Sequence, residues 1–256
     1  MKIHILILFC SILIYPLFAQ QVEALLIPLG DTQLPVGINL DHKRGSVIVD
    51  GYDGTVVIIH AQIRMKKPPG LLSVESDRLP VAATEQDNTI RITSPLSKNA
   101  VDVNIRVPRS CNLQITNQED GDITVNDVSG ELVIDNSGGS IYLNNVSGTA
   151  ILSTIEGNIR ARFSTVSAGQ PLAFSSMDGT IDVMFPRNYG AFLKMKSVYG
   201  QIITDYDLSV NSKEKFSPEV SSSEQNNTWK YIRLNDGGAQ ILFITYNGDI
   251  FIRENR

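Results

Sequence analysis

From Gly121 to Ser164 the chain reads GDITVNDVS, GELVIDNSG, GSIYLNNVS, GTAILSTIE and GNIRARFS. Each block opens on a glycine nine residues after the last, at Gly121, Gly130, Gly139, Gly148 and Gly157. The third and fifth positions are apolar almost throughout: Ile123 and Val125, Leu132 and Ile134, Ile141 and Leu143, Ala150 and Leu152, Ile159 and Ala161. The second position is mostly polar and the sixth polar throughout. That is period-two alternation over about five residues, so each block predicts a short strand with one buried face. The sixth and seventh positions hold Asn126-Asp127, Asp135-Asn136, Asn144-Asn145 and Ser153-Thr154. These are turn formers, and Asn and Asp tolerate the left-handed conformation. The glycine that opens each block carries no Cβ penalty where the backbone must bend.

Alternate blocks match best, because Asn126-Asp127-Val128-Ser129-Gly130 recurs as Asn144-Asn145-Val146-Ser147-Gly148, eighteen residues on. Two strands per eighteen-residue coil is the simplest reading. A nine-residue strand and turn cannot bury its own apolar face, whereas stacked copies can. The predicted fold is therefore all-β, a single parallel β-solenoid with short strands and Gly/Asn-rich turns. Looser copies, with a polar residue three before a glycine and an apolar residue two after it, follow at Ser176–Gly179–Ile181, Ser197–Gly200–Ile202 and Thr245–Gly248–Ile250. Between them, residues Asn211–Thr228 are polar and Ser/Asn-rich, an expected excursion from a coil edge.

Before Gly121 the same grammar appears without strict period. Gly45–Val49 and Gly54–Ile59 read as strands joined by a turn at Asp50–Asp53. Further strands are expected at Ile63, Leu71–Val74, Thr89–Thr93 and Val101–Val107, with turns at Pro68-Pro69-Gly70 and Ser94-Pro95. The organisation expected is a leader over 1–19, an N-terminal β region and cap over 20–112, and solenoid repeats over 113–256, continuous with what precedes them. Gln20–Leu40 is the expected cap for the first coil, and Asp249–Arg253 the expected final strand, blunted by charge at an exposed edge.

Residues 1–19 read as an address. Met1-Lys2 precedes an almost unbroken apolar run, Ile3 to Phe18, that breaks at Ala19 before Gln20-Gln21. This is the pattern of a secretory signal peptide, and the run with Pro16 near its end is short for a membrane anchor. Its removal takes the formal charge from −5 to −6 and leaves Cys111 as the remaining cysteine. An exported chain with one cysteine has no intramolecular disulfide, so burial and backbone pairing must hold it together. Cys111 reads as a packed small hydrophobe between strands rather than a reactive thiol. Localisation is expected to be periplasmic, outer-surface or secreted.

Over most of that chain the sequence resembles the putative adhesin family of secreted bacterial β-strand-repeat proteins. The marks are Gly45-Ser46-Val47-x-Val49 leading to Gly51-Tyr52-Asp53-Gly54, then Val107-Pro108, the G-x-I strands, Phe185-Pro186, Gly237-Gly238, and Thr245-Tyr246-Asn247-Gly248-Asp249-Ile250. The resemblance implies a parallel β-solenoid outside the cytoplasm, and it carries no motif-defined active site.

The chemistry the residues exclude is informative. With 27 acidic against 22 basic side chains there is no electrostatic footprint for nucleic acid. A calcium roll needs glycine at the second and fourth positions and Asp at the sixth. Here the second holds Asp122, Glu131, Ser140 and Thr149, the fourth holds Thr124, Val133, Tyr142 and Ile151, and only Asp135 matches the Asp. Stacked Asn, Ser and Thr side chains bonding along the coil fit better. A glycosidase needs two carboxylates roughly 5–9.5 Å apart. Asp122, Asp127, Glu131, Asp135 and Glu156 offer pairs in that range by stacking alone, so the carboxylates do not identify an enzyme. His42 and His60 have no G-x-S-x-G elbow and no i+4 zinc partner. Phosphate and dinucleotide loops are absent, and Lys66-Lys67 and Lys194/Lys196 read as solvated charges. No catalytic residue, cofactor or metal is expected. Tyr142, Tyr189, Tyr199, Trp229, Tyr231 and Tyr246 are candidates to stack on sugar rings. Tyr142, outward by its place in the block, with Asn126 and Asn144 makes the candidate ligand surface. An envelope glycan or surface protein is the partner class such a surface fits. The functional expectation is a non-enzymatic surface-binding scaffold, with a carbohydrate-active enzyme or an envelope structural accessory as the alternatives.

Overall fold

The structure is a computed structural model that describes residues 24–30, 34–64, 80–94, 99–167, 169–170, 172–206 and 229–255. The leader, Leu71–Val74, the turn at Pro68–Gly70, Lys66-Lys67 and Asn211–Thr228 lie outside the described residues. Among the described residues there is no helix, and the strands number nineteen. They run β1 (Ala24–Pro28), β2 (Val36–His42), β3 (Val47–Tyr52), β4 (Val56–Arg64), β5 (Ala82–Gln86), β6 (Thr89–Thr93) and β7 (Ala100–Pro108). The repeat region supplies β8 (Cys111–Asp120), β9 (Ile123–Asn126), β10 (Ser129–Gly138), β11 (Ile141–Glu156) and β12 (Ile159–Val166). Beyond it lie β13 (Leu172–Asp178), β14 (Ile181–Pro186), β15 (Ala191–Ser197), β16 (Ile202–Thr204), β17 (Lys230–Leu234), β18 (Ala239–Asn247) and β19 (Ile250–Asn255).

Through the repeats, strands pair in parallel with the partner eighteen residues on: Ser129 opposite Ser147, Ile123 opposite Ile141, Ile141 opposite Ile159. Each coil contributes one strand to each of two faces, and β11 is long enough to serve both. One face runs β5–β6–β2–β8–β10–β11–β13–β18–β15–β17. The other runs β1–β4–β7–β3–β9–β11–β12–β14–β19–β16. The odd positions of the blocks (Ile123, Val125, Leu132, Ile134, Ile141, Leu143, Ile159) meet in a single apolar core, and Cys111 is fully buried among them. Toward the C-terminal coils that core turns aromatic, with Phe174 stacked on Phe243 at 5.0 Å and Phe163 on Phe185 at 5.7 Å.

Three expectations need correction. First, the sheet is mixed, not purely parallel. β1 on β4, β4 on β7, β5 on β6 and β15 on β17 are antiparallel. All four lie at the ends of the stack, where strands that turn back close it off. Second, Gln20–Leu40 is not a cap throughout: β1 lies at the end of the stack against β4, whereas β2 lies inside, between β6 and β8. Third, the last strand is not an edge, since β19 lies between β14 and β16. The coil order in space thus inverts at both ends. β2–β3 sits inside β6–β7, and β18–β19 sits inside β15–β16.

The glycines of the nine-residue repeat alternate between the two edges where the faces meet. On one edge Gly45, Gly121, Gly139, Gly157, Gly179, Gly248 and Gly200 stand in a column, coil upon coil. A Cβ on Gly139 would lie 2.3 Å from the Gly121 carbonyl oxygen, and φ there is 132°. Both the space and the backbone therefore demand glycine. The same approach recurs from Gly157 to the Gly139 oxygen (2.1 Å), Gly179 to Gly157 (1.9 Å), Gly248 to Gly179 (2.1 Å) and Gly200 to Gly248 (1.9 Å). Gly130 and Gly148 lie on the opposite edge, against the carbonyls of Cys111 and Gly130.

The column's carbonyls are capped by buried side chains from the next coil. Asn136 Nδ2 donates to Gly121 O (2.9 Å), Thr154 Oγ1 to Gly139 O (2.9 Å) and Ser176 Oγ to Gly157 O (2.9 Å). Thr245 Oγ1 donates to Gly179 O (2.9 Å) and Ser197 Oγ to Gly248 O (2.7 Å). A buried carbonyl without a donor costs about 1–3 kcal/mol, so each clasp ties one coil to its neighbour at a place the strand ladder does not reach. The sixth and seventh block positions thus divide into two kinds. Asp127 and Asn145 are the expected left-handed turns (φ 56° and 53°). Asn136 and Thr154 are buried within strands as clasp donors.

His42 holds the donor's place in β2, three residues before Gly45. It is fully buried beside the backbone of Val101, yet neither ring nitrogen finds a partner at hydrogen-bonding geometry among the described residues. Burial holds it below the ordinary imidazole pKa, with the Val101 backbone and the charge of Asp102 partly offsetting.

Two outcomes are expected. Gly139→Ala should lower stability by at least about 2 kcal/mol. Gly169→Ala, at a φ of 74° with nothing within 4 Å of the added carbon, should cost only about 1 kcal/mol. Urea unfolding midpoints of the two variants test this. Because His42 titrates lower folded than unfolded, the unfolded chain binds more protons as pH falls below about 6.5. The wild-type melting temperature should therefore drop between pH 7.5 and 5 more steeply than that of His42→Asn, and equal slopes would rule out the buried imidazole as the cause.

Candidate functional site

Outward residues of the β9 face form rows that cross the strands. At the fourth block position the row reads Ile48, Thr124, Tyr142, Arg160, Asp182, Phe251 and Ile203, each opposite the next. Two residues along each strand a second row begins Asp50, Asn126, Asn144. Beyond a register shift between β11 and β12 it continues Arg162, Met184, Arg253.

The second row opens as a ladder. Asn144 Nδ2 donates to Asn126 Oδ1 (2.9 Å), and Asn126 Nδ2 donates to Asp50 Oδ1 (2.7 Å). Asn126 and Asn144, two of the three residues expected on a ligand surface, are thereby tied to each other and to Asp50. A parallel ladder on the glycine side joins Asp122 Oδ1 to the Ser140 amide (2.8 Å), Ser140 Oγ to the Asn158 amide (3.1 Å) and Asn158 Oδ1 to the Thr180 amide (2.8 Å).

Tyr142, the third expected residue, lies at a shallow depression of about 320 Å³ whose lining includes Arg160, Asp182, Phe251 and Arg253. Asp182 Oδ1 accepts from Arg253 Nε at 2.7 Å, and Arg160 Nε stands 3.9 Å from Asp182 Oδ2. The Arg253 guanidinium lies 5.0 Å from the Phe251 ring centroid, within cation–π range. Aromatic rings thus bracket an arginine–carboxylate–arginine cluster. Arg160, Asp182, Phe251 and Arg253 were not among the sequence candidates. The signal was present: Tyr142, Arg160, Asp182 and Phe251 each stand three residues after a glycine of the column. What brings Phe251 beside Asp182 is the placement of β19 against β14, which spacing along the chain does not reveal.

The other aromatic candidates scatter. Tyr189 stacks on Phe185 at 5.2 Å under the C-terminal coils. Trp229 lies under Lys194 (4.5 Å) and Lys196 (5.6 Å) on the β8 face, and exposed Tyr231 stands opposite Lys194. Tyr199 and Tyr246 meet edge to face at 5.0 Å along the glycine edge, in line with exposed Met177 and Ile155. Asp127, Asn145, Arg109 and Asp53 form a bonded cluster on the opposite edge, with Arg109 Nε donating to Asp53 Oδ1 at 2.8 Å. Among the described residues no group of three His, Cys, Asp or Glu is placed to hold a metal ion. No helix there is long and apolar enough to cross a membrane. Burial pushes the Cys111 thiol up to about 12, which suits a packed side chain rather than a nucleophile.

Comparison with known proteins agrees with this architecture. The family model for Toastrack DUF4097 matches residues 61–253. A structure from Clostridium sporogenes, described as a putative cell adhesion protein, aligns over 91% of this chain and 99% of its own at 9% identity, with a TM-score of 0.50. Another from Bacteroides fragilis, described as a putative adhesin, aligns over 93% of this chain and 98% of its own at 10% identity and a TM-score of 0.40. The Clostridium sporogenes likeness is one of fold. No curated protein sequence matches the chain.

With Cys10 replaced by Ser, the folded chain should leave Cys111 unmodified by a thiol reagent at pH 8 and release one equivalent only in denaturant. Rapid labelling under native conditions would show that the start of β8 opens readily.

Proposed function

The chain belongs to the Toastrack DUF4097 family, and from that premise we propose that it is a non-enzymatic, exported scaffold of the bacterial cell envelope. Its work is to present the outward rows of the β9 face to a ligand or surface. Export follows from the apolar run Ile3–Phe18 behind Lys2. The winding is a β-solenoid closed at both ends by antiparallel strands, with 113–256 carrying the repeats and 20–112 continuing them.

One observation carries the reading. Tyr142, Arg160, Asp182 and Phe251 stand in one row on four successive paired strands, so they are held in fixed register about 4.8 Å apart without any loop. Binding chemistry on rigid strands gives a pre-organised contact surface, for which little ordering entropy is lost on association. Asn126 and Asn144 serve that surface by holding its neighbouring strands in register.

The alternative, a polysaccharide-cleaving enzyme, needs two carboxylates across a scissile bond. Asp182 is the one carboxylate among the described residues lining the depression, and it is engaged by Arg253 and faced by Arg160.

The purified chain, applied to an array of envelope glycans and matrix proteins, should be retained without shortening any glycan. Tyr142→Ala combined with Phe251→Ala should reduce retention by about tenfold or more while leaving the melting temperature within a few degrees. New reducing ends appearing during incubation, abolished by Asp182→Asn, would replace this reading with the enzymatic one.

A further inference from the structure

We infer that the depression on the β9 face binds a carboxylate-bearing polysaccharide, a uronate chain lying along the coil axis across β11, β12, β14 and β19. The inference rests on the scaffold reading above and adds the class of ligand.

Charge is the first argument. The chain as a whole is acidic, with a formal charge of −5. Yet Arg160 and Arg253 face one another across a single carboxylate, Asp182, and Arg162 stands exposed two residues along β12. Three cations against one anion make a local positive island on a chain of net negative charge, where an anionic ligand is favoured. A guanidinium offers five N–H donors in a planar fork that matches a carboxylate. Arg160, with its side chain 53% exposed and its Nε beyond hydrogen-bond length from Asp182, is the fork open to a ligand.

Shape is the second. The depression is shallow and set in the middle of a sheet, where β12 is paired with β11 and β14, and β14 with β12 and β19. No strand edge is offered there, so a peptide cannot add to the sheet, and recognition must come from side chains alone. Tyr142 and Phe251 stand three coil spacings apart in one row, about 14 Å. That separation suits two rings of an extended sugar chain with other rings between them, each aromatic offering an apolar face, and the arginines meeting the carboxylates of the intervening rings.

Asp182 then has a defined role. It holds Arg253 in place through the 2.7 Å bond, and it competes with the ligand's carboxylate for both guanidinium groups. Its removal should therefore strengthen binding, an effect that damage to the site would not produce.

Calorimetric titration of the full chain with hexasaccharides of galacturonate, mannuronate and glucuronate, each beside its methyl ester, tests this, with poly-glutamate as the acidic-peptide control. At least one uronate should bind about tenfold or more tighter than its own ester. Arg160→Gln and Tyr142→Ala should each weaken that binding about tenfold, and Asp182→Asn should tighten it about threefold, all three with unchanged melting temperatures. Failure of all three uronates to bind, equal affinity for acid and ester, preference for poly-glutamate, or weaker binding by a folded Asp182→Asn chain would each overturn the inference. Array retention of a neutral glycan or a protein that depends on Tyr142 and Phe251 would overturn the uronate assignment alone. Release of reducing ends would overturn the scaffold reading itself.

Discussion

The architecture depends on how a corner is closed. Where the chain passes from one face to the other, the backbone of each coil comes so near the coil before it that a side-chain carbon has no room, as at Gly139 over Gly121. Close approach alone would leave the buried carbonyls of the glycine column without donors, and a stack of such carbonyls would be heavily destabilising. In five of the coils the hydroxyl or amide three residues before the coil's own glycine removes that cost. Thr154 reaches Gly139, Ser176 reaches Gly157, Thr245 reaches Gly179 and Ser197 reaches Gly248. Small residue and polar donor are thus two halves of one device. The glycine permits the approach, and the donor makes it favourable.

That device also shows where each coil belongs. Thr245 caps Gly179 and Ser197 caps Gly248, so the clasps follow the order of coils in space and not their order along the chain. The inversion at each end has a physical use. A solenoid that simply stopped would expose its first and last strands to pairing with other chains. Here the coils nearest the ends of the described sequence lie second from each end. The outermost positions are filled by β6–β7 and β15–β16, with antiparallel β5, β4 and β17 laid against them. Return strands of this kind need no further coil beyond them.

Much of this was legible in the residues. The period of eighteen, the two strands per coil, the buried odd positions and the all-β class all follow from alternation and glycine spacing, because one buried face imposes period two wherever it occurs. The rest was hidden for identifiable reasons. Asn136 and Thr154 resemble the turn residues Asp127 and Asn145, since a short polar side chain serves equally to turn a backbone or to cap a carbonyl. His42 gave no sign of being their counterpart, because imidazole is not an expected member of a Ser/Thr/Asn series. The inverted order of end coils could not be read at all, since β3, β9 and β19 carry the same alternation and any of them would satisfy its neighbour's apolar face. The candidate site suffered from this last gap. Tyr142 and Arg160 are one coil apart in the chain and in space, but Phe251 joins them only through the displaced pairing of β19 with β14.

The boundary between structure and function on the β9 face falls where the amide ladder stops. From Asn144 through Asn126 to Asp50 each side-chain amide donates to the coil before it, which ties these side chains to one another across three coils. After Leu143 opposite Ala161 the pairing of β11 with β12 shifts register, and the position that would extend the ladder is Arg162. A guanidinium has donors and no acceptor, so it could donate back to Asn144 as Asn144 does to Asn126, but it could not accept a bond from the coil beyond. The row changes from a self-satisfied ladder to exposed charge, and one position over, the neighbouring row changes at the same coil from Thr124 and Tyr142 to Arg160 and Asp182. Neither change disturbs the core or the clasps, whose residues occupy other positions of the block. Outward positions can therefore carry recognition chemistry without cost to the fold, and on this face the change from ladder to charge locates the surface available to a ligand.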